Sequence, residues 1–167
     1  LSTLGVDTGM GLERLAMVVQ GKTNIFETDL FAEFKTERVL ADHARAIVFL
    51  TADGVRPDNK GAGYVLRRLL RRLLVKFNLE KIKLATDWMI NKYSAQYPEL
   101  LAVNIFELIE KENDQFGLAL KLGLKELAKL DKLNGAGAFK LYETYGLPFE
   151  VIKDYHPELS RTKFEKE

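Results

Sequence analysis

Arg67, Arg68, Arg71 and Arg72, flanked by Lys60 and Lys76 with no acid anywhere between residues 59 and 79, are the side chains of this sequence best suited to chemistry on an anion. A guanidinium pairs bidentately with phosphate, so the partner that such a set selects is a nucleic-acid backbone. At about 100° per residue, Leu66, Leu69, Leu70, Leu73, Leu74 and Phe77 gather on one side of a helix and the four arginines on the other. The spacing predicts a helix with one core face and one guanidinium rail, opened by a turn at Gly61 and Gly63. A merely solvated amphipathic face would interleave Glu with Lys or Arg at i,i+4 to limit self-repulsion, and this one does not.

A second place for chemistry lies near the start. Residues 4–6 read as a short extended lead-in and Asp7 and Thr8 as helix N-caps, after which Leu12, Leu15, Ala16 and Val19 repeat at helical spacing until Gly21. Gly9 and Gly11 let a backbone come close to a flat or charged ligand. The helix N-terminus favours anions, and Arg14 is within reach of a phosphate there. On spacing alone, a plain turn accounts for Gly-x-Gly more often than a nucleotide site does.

Composition bounds what these residues can belong to. A chain of 167 residues, 47% hydrophobic and 29% charged, can bury the core of one or two small domains. Its 25 basic and 24 acidic residues leave a net charge of +1, so affinity for nucleic acid must come from segregated charge. The absence of cysteine excludes disulfides, thiolate metal sites and a cysteine nucleophile, and agrees with a reducing, cytoplasmic setting. No apolar run approaches the length of about 18 residues that a membrane span needs, and no charged-then-apolar leader opens the chain. The sequence begins at Leu1 in mid-pattern and reads as a piece of a longer protein.

The elements that must position the two sites are helical, since period-2 alternation is almost absent. Residues 22–35 form a connector anchored by Ile25, Phe26, Leu30, Phe31 and Phe34. A mostly apolar helix over 37–53 is ended by Gly54 and interrupted by Asp42, His43 and Arg45. Adjacent helical residues point about 100° apart and the only other histidine is His156, so no metal site is expected; a buried hydrogen-bond network, or contacts from His43 and Arg45 to RNA, suits them better. Leu84, Trp88, Met89 and Ile90 read as core. Pro98 precedes a long helical pattern over 99–133, with Ile105, Leu108, Ile109, Phe116, Leu120, Leu124 and Leu127 inward and mixed charges outward. Gly135 and Gly137 end it, residues 138–145 make a further helical turn, and 153–167 read as a charged tail.

The string DTGMGLERL at 7–15 closely resembles the third signature motif of class II aminoacyl-tRNA synthetases in its alanine-specific form. RVLADH at 38–43, DGVRPDN at 53–59 with GYVLRR at 63–68, and AFKLYETYGLP at 138–148 follow in order, and together the blocks resemble alanyl-tRNA synthetases over nearly the whole chain. The resemblance implies a mainly α fold: residues 1–22 would be the last strand and helix of a class II catalytic domain, and 23–167 the helical domain that holds the tRNA acceptor stem. It gives Arg14 the neutralisation of the ATP phosphates, places Gly9 and Gly11 under the adenylate, and gives Asp7 the amino group of alanine. ATP and Mg would serve the parent enzyme, and none is expected to bind this piece, whose pocket lacks the first two class II motifs. Relatives carry a longer segment between residues 31 and 38.

The resemblance also implies that the partner is tRNA(Ala), with Lys60, Arg67, Arg68, Arg71 and Arg72 on its backbone. Alanyl-tRNA synthetases read a G·U wobble pair in the acceptor stem, whose guanine 2-amino group is unpaired in the minor groove. The family's Asn and Asp for this task match Asn59 and Glu143, the latter longer by one methylene. Glu143 makes the same contact from a retreated backbone, or the pair is read loosely, or this tRNA is identified otherwise. Two other classes compete: a stand-alone helical RNA-binding module without catalysis, and a structural bundle without any RNA role.

Overall fold

Wherever an apolar repeat of about 3.6 residues runs without glycine or proline, the chain is helical. The computed structural model describes residues 5, 7–34, 36–130 and 132–160, and among these there is no strand. The elements are α1 (Leu12–Val19), short 3-10 turns at Ile25–Glu27 and Asp29–Phe34, α2 (Arg38–Ala52), α3 (Gly61–Lys76), α4 (Leu79–Tyr93), a 3-10 turn at Pro98–Ala102, α5 (Ile105–Leu127), α6 (Gly135–Tyr145) and α7 (Phe149–Tyr155). The fold is mainly α, as expected. The strand expected over 4–6 falls on residues of which only Gly5 is described. Contacts group the chain into two compact units, Leu1–Asp42 and His43–Glu167.

In the first unit, α1 begins later than the sequence suggests. Its N-cap is Gly11, with no side-chain cap, so Asp7 and Thr8 are not the caps. After Gly21, which takes φ +61, Asn24 caps the first 3-10 turn by accepting from the Phe26 N–H. Gln20 is clamped to Asp29 by two hydrogen bonds, Nε2 to Oδ1 at 2.6 Å and Asp29 N to Oε1 at 3.1 Å. Leu30, Phe31 and Phe34 are buried, and the rings of Phe26 and Phe31 meet at 4.9 Å.

In the second unit, the core is the buried stripe of each helix. Leu66, Leu70 and Leu73 of α3 pack with α4 and α5, whose buried residues include Ile82, Ala85, Met89, Ile109 and Phe116. Leu84 is exposed and is not core: the stripe of α4 runs through Ile82, Ala85, Met89 and Tyr93, and Leu84 is off its line. The pattern over 99–133 is not one helix. Asn104 caps a new start at Ile105, and the helix closes at Leu127. The tail expected over 153–167 is partly folded: α7 runs on to Tyr155, and Leu159 joins Leu127, Ala138, Leu141, Leu147, Phe149, Val151 and Ile152 in one apolar cluster. Residues 161–167 lie outside those described.

Candidate nucleic-acid interface

The head of α3 is set by glycine. Gly61 takes φ +55 as the chain turns into the helix, a region that side chains disfavour. At Gly63 an added Cβ would sit 2.5 Å from the Arg56 carbonyl oxygen and 2.6 Å from Asp58 Cβ, so the preceding loop presses directly on the first turn. That loop carries Asn59 and Lys60, both exposed. Arg67 holds it from the next turn: Nη1 donates to Asn59 Oδ1, and Nη2 donates to the Pro57 carbonyl at 3.3 Å.

The four arginines do not form one open rail. Arg67 and Arg71, an i,i+4 pair, both reach Glu112 of α5: Arg71 Nε donates to Oε1 at 2.7 Å, and Arg67 Nε stands 3.7 Å from Oε2, an ion pair too long for a hydrogen bond. Glu112 is only 2% exposed, while Arg67 and Arg71 keep 22% and 18%. The reason is azimuth. Residues four apart share a helix face, and this face of α3 meets α5. Arg71 also lies over the Phe116 ring at 5.1 Å and against Gly146, where any Cβ would collide with its guanidinium. Arg68 is exposed and Arg72 is half-buried.

Glu112 is the buried partner of these arginines that sequence reasoning missed. A signal was present: it stands three residues after Ile109 and four before Phe116, on the apolar stripe and not on the charged side. A carboxylate there needs a cation, because burying it unpaired costs several kcal/mol. A cavity of about 410 Å³ beside it is lined by Arg56, Arg67, Lys111, Glu107 and Glu112 among others, a mixed set that does not select one sign of ligand.

Glu143 is exposed on α6. The residue before it, Tyr142, hydrogen bonds through its hydroxyl to that of Tyr64, on the first turns of α3. In the first unit, Asp7, Gly9, Gly11 and Arg14 are all exposed, and an added Cβ would meet nothing within 4 Å at Gly9. They lie on an open edge. Among the described residues, no group of three or more His, Cys, Asp or Glu is placed to hold a metal ion, and no helix is long and apolar enough to cross a membrane. His43 is buried on α2.

Comparison with known proteins matches residues 1–162 to the family described as tRNA synthetases class II (A). The chain belongs to this family. Among curated proteins, it is 38% identical to the alanine–tRNA ligase of Rhizobium johnstonii over 178 residues, which covers 89% of this chain and 20% of that protein. The alanine–tRNA ligase of Fusobacterium nucleatum is 39% identical over 185 residues, with 89% and 21% covered, and that of Dehalococcoides mccartyi is 38% identical over 181 residues with the same coverage. The chain thus spans about a fifth of the length of these relatives. The aligned stretches are longer than this whole class II chain, so the relatives carry segments that it lacks.

Proposed function

We propose that this class II synthetase chain is part of an alanine–tRNA ligase, contributing one edge of the catalytic site and the surface that holds the acceptor stem of tRNA(Ala) in the cytoplasm. Residues 1–22 are the catalytic remnant and 23–167 the tRNA-recognition domain. In the parent reaction, alanine and ATP give alanyl-adenylate and pyrophosphate, and the alanyl group passes to the terminal adenosine of the tRNA. Arg14 neutralises phosphate charge, Gly9 and Gly11 admit the adenylate against the backbone, and Asp7 pairs with the alanine ammonium. Mg belongs to the parent reaction, and none of its chemistry is ascribed to these residues.

On the RNA side, Lys60 and Arg68 pair with phosphates, with Arg67, Arg71 and Arg72 adding positive potential behind them. The Glu143 carboxylate accepts from the unpaired guanine 2-amino group of a G·U pair. Asn59, whose Oδ1 accepts from Arg67, keeps its NH2 to donate. The observation that supports this reading most is the Tyr64–Tyr142 hydrogen bond, which joins the start of α3, five residues after Asn59, to the residue preceding Glu143.

The test is a titration of the 167-residue chain with acceptor-stem hairpins that differ only in G·U or G·C. Wild-type binding should weaken by about 1–3 kcal/mol on the change to G·C, and Asn59→Ala or Glu143→Ala should erase most of that difference. Equal affinities of the wild-type chain for the two hairpins would remove both residues from the readout.

A further inference from the structure

Glu112 is a charged group in a place where charge has to be justified. It stands between the buried Ile109 and Phe116 of α5, and each of its two oxygens faces a different arginine, Oε1 facing Arg71 and Oε2 facing Arg67. Two guanidiniums four residues apart on one helix repel each other; a carboxylate between them allows both to stay on this face and fixes the direction in which each points.

What the two arginines then hold is informative. Arg67 spends its remaining nitrogens on the loop before α3, with Nη1 on Asn59 Oδ1 and Nη2 on the Pro57 carbonyl. Arg71 rests against Gly146, the left-handed C-cap of α6 with φ +66, three residues after Glu143. A cation at a helix C-terminus is favourable, since the last carbonyls carry partial negative charge. The segment that carries Asn59 is therefore hydrogen-bonded to one arginine, and the end of the helix that carries Glu143 lies close against another, and both arginines face the same buried carboxylate.

We infer that Glu112 is a positioning residue for base-pair readout, setting the Asn59 amide through Arg67 and the end of α6 through Arg71. This inference rests on the assignment of Asn59 and Glu143 as readers. It adds that discrimination between pairs, and not merely stability, depends on a carboxylate that never touches RNA. It also gives Arg67 and Arg71 a role apart from Arg68: they are internal struts.

The experiment uses the 167-residue chain, the G·U and G·C hairpins, and the variant Glu112→Gln, which keeps size and shape and removes the charge. The ratio of the two affinities should fall at least threefold toward unity in Glu112→Gln, while binding to the G·C hairpin changes less than twofold. The Asn59 side-chain amide resonances, read by 15N-edited NMR without RNA, should shift in the same variant. Should Glu112→Gln fail to fold, Gly146→Ala displaces Arg71 from the other side and should lower the ratio in the same direction. A wild-type ratio of one would remove the readers themselves. A wild-type ratio well above one, unchanged in folded Glu112→Gln or in Gly146→Ala, would leave the readers standing and overturn the role of Glu112.

Discussion

Helices α1 and α3 are built from the same parts and end in different states. Each follows a glycine turn, carries arginine, and repeats leucine or valine at helical spacing. In α3 the repeat closes into the core, with Leu66, Leu70 and Leu73 fully buried. In α1 no residue is buried, and Val18 and Val19 are 72% and 76% exposed. The difference lies in what each unit supplies to pack against the apolar side. α3 has α4 and α5, whereas α1 has a 3-10 turn and the Gln20–Asp29 clamp. Periodicity states which side of a helix is apolar, and the surroundings decide whether that side is covered, which matters because burial supplies most helical stability in a protein.

The sharpest test of this contrast is catalytic. If α1 is one edge of a larger site, the 167-residue chain should give no measurable ATP–pyrophosphate exchange, and Arg14→Ala in a full-length parent should lower exchange by roughly 10²-fold or more. Robust exchange by the isolated chain would mean that the open edge is already a complete pocket. The next largest effect is on stability. Leu70→Ala in α3 should cost about 2–5 kcal/mol in urea unfolding, whereas Leu15→Ala in α1 should stay within about 0.5 kcal/mol. A large cost at Leu15 would show that its side chain is covered in solution.

Much of the second unit was legible because its rules are local. The stripes of α2, α3 and α5 follow from spacing, and Gly54 and Gly146, both with positive φ, end α2 and α6 where the sequence predicted breaks. What was not legible is long-range. Nothing near Arg67 or Arg71 in the sequence announces Glu112, about 40 residues away, and so the guanidinium rail was drawn open on a face that α5 in fact meets. Leu84 failed for the complementary reason: its hydrophobicity suggested core, but its azimuth on α4 lies off the buried line. Of the candidate site, Asn59, Lys60 and Glu143 are exposed, as polar residues beside helix ends commonly are, while the link between Tyr64 and Tyr142 spans 78 residues and only the fold could reveal it.

Within α3 itself the same comparison can be sharpened, because two of its arginines differ in what they touch. Arg71→Gln removes a hydrogen bond to a buried carboxylate and should destabilise the chain by about 1.5–3 kcal/mol. Arg68→Gln, on an exposed side chain, should leave the unfolding midpoint nearly unchanged. It should instead lower the slope of log affinity against log salt by about 1 for any acceptor-stem hairpin. If both variants change the slope equally and neither changes stability, the division of α3 into struts and contacts is wrong.

The smallest expected effect comes from a carboxylate in the opposite situation to Glu112. Glu158 is 62% exposed, and its acidity is raised by a hydrogen bond from its own backbone N–H and then by the His156 side chain, 3.0 Å away, so its pKa lies below the ordinary 4.5. A carboxyl whose folded value is lowered contributes stability that is complete above its unfolded value, and that contribution is lost as pH falls through the folded one. Glu158→Gln cannot titrate. The Tm difference between wild type and Glu158→Gln should therefore be small above about pH 5, and should shrink toward zero below pH 4.5. Solvent screening keeps the whole effect slight at an exposed site, and added salt should reduce it further. A Tm difference that stays the same down to pH 3 would show that the loop after α7 gains nothing from the charge of Glu158, leaving only its backbone and the burial of Leu159 to hold it.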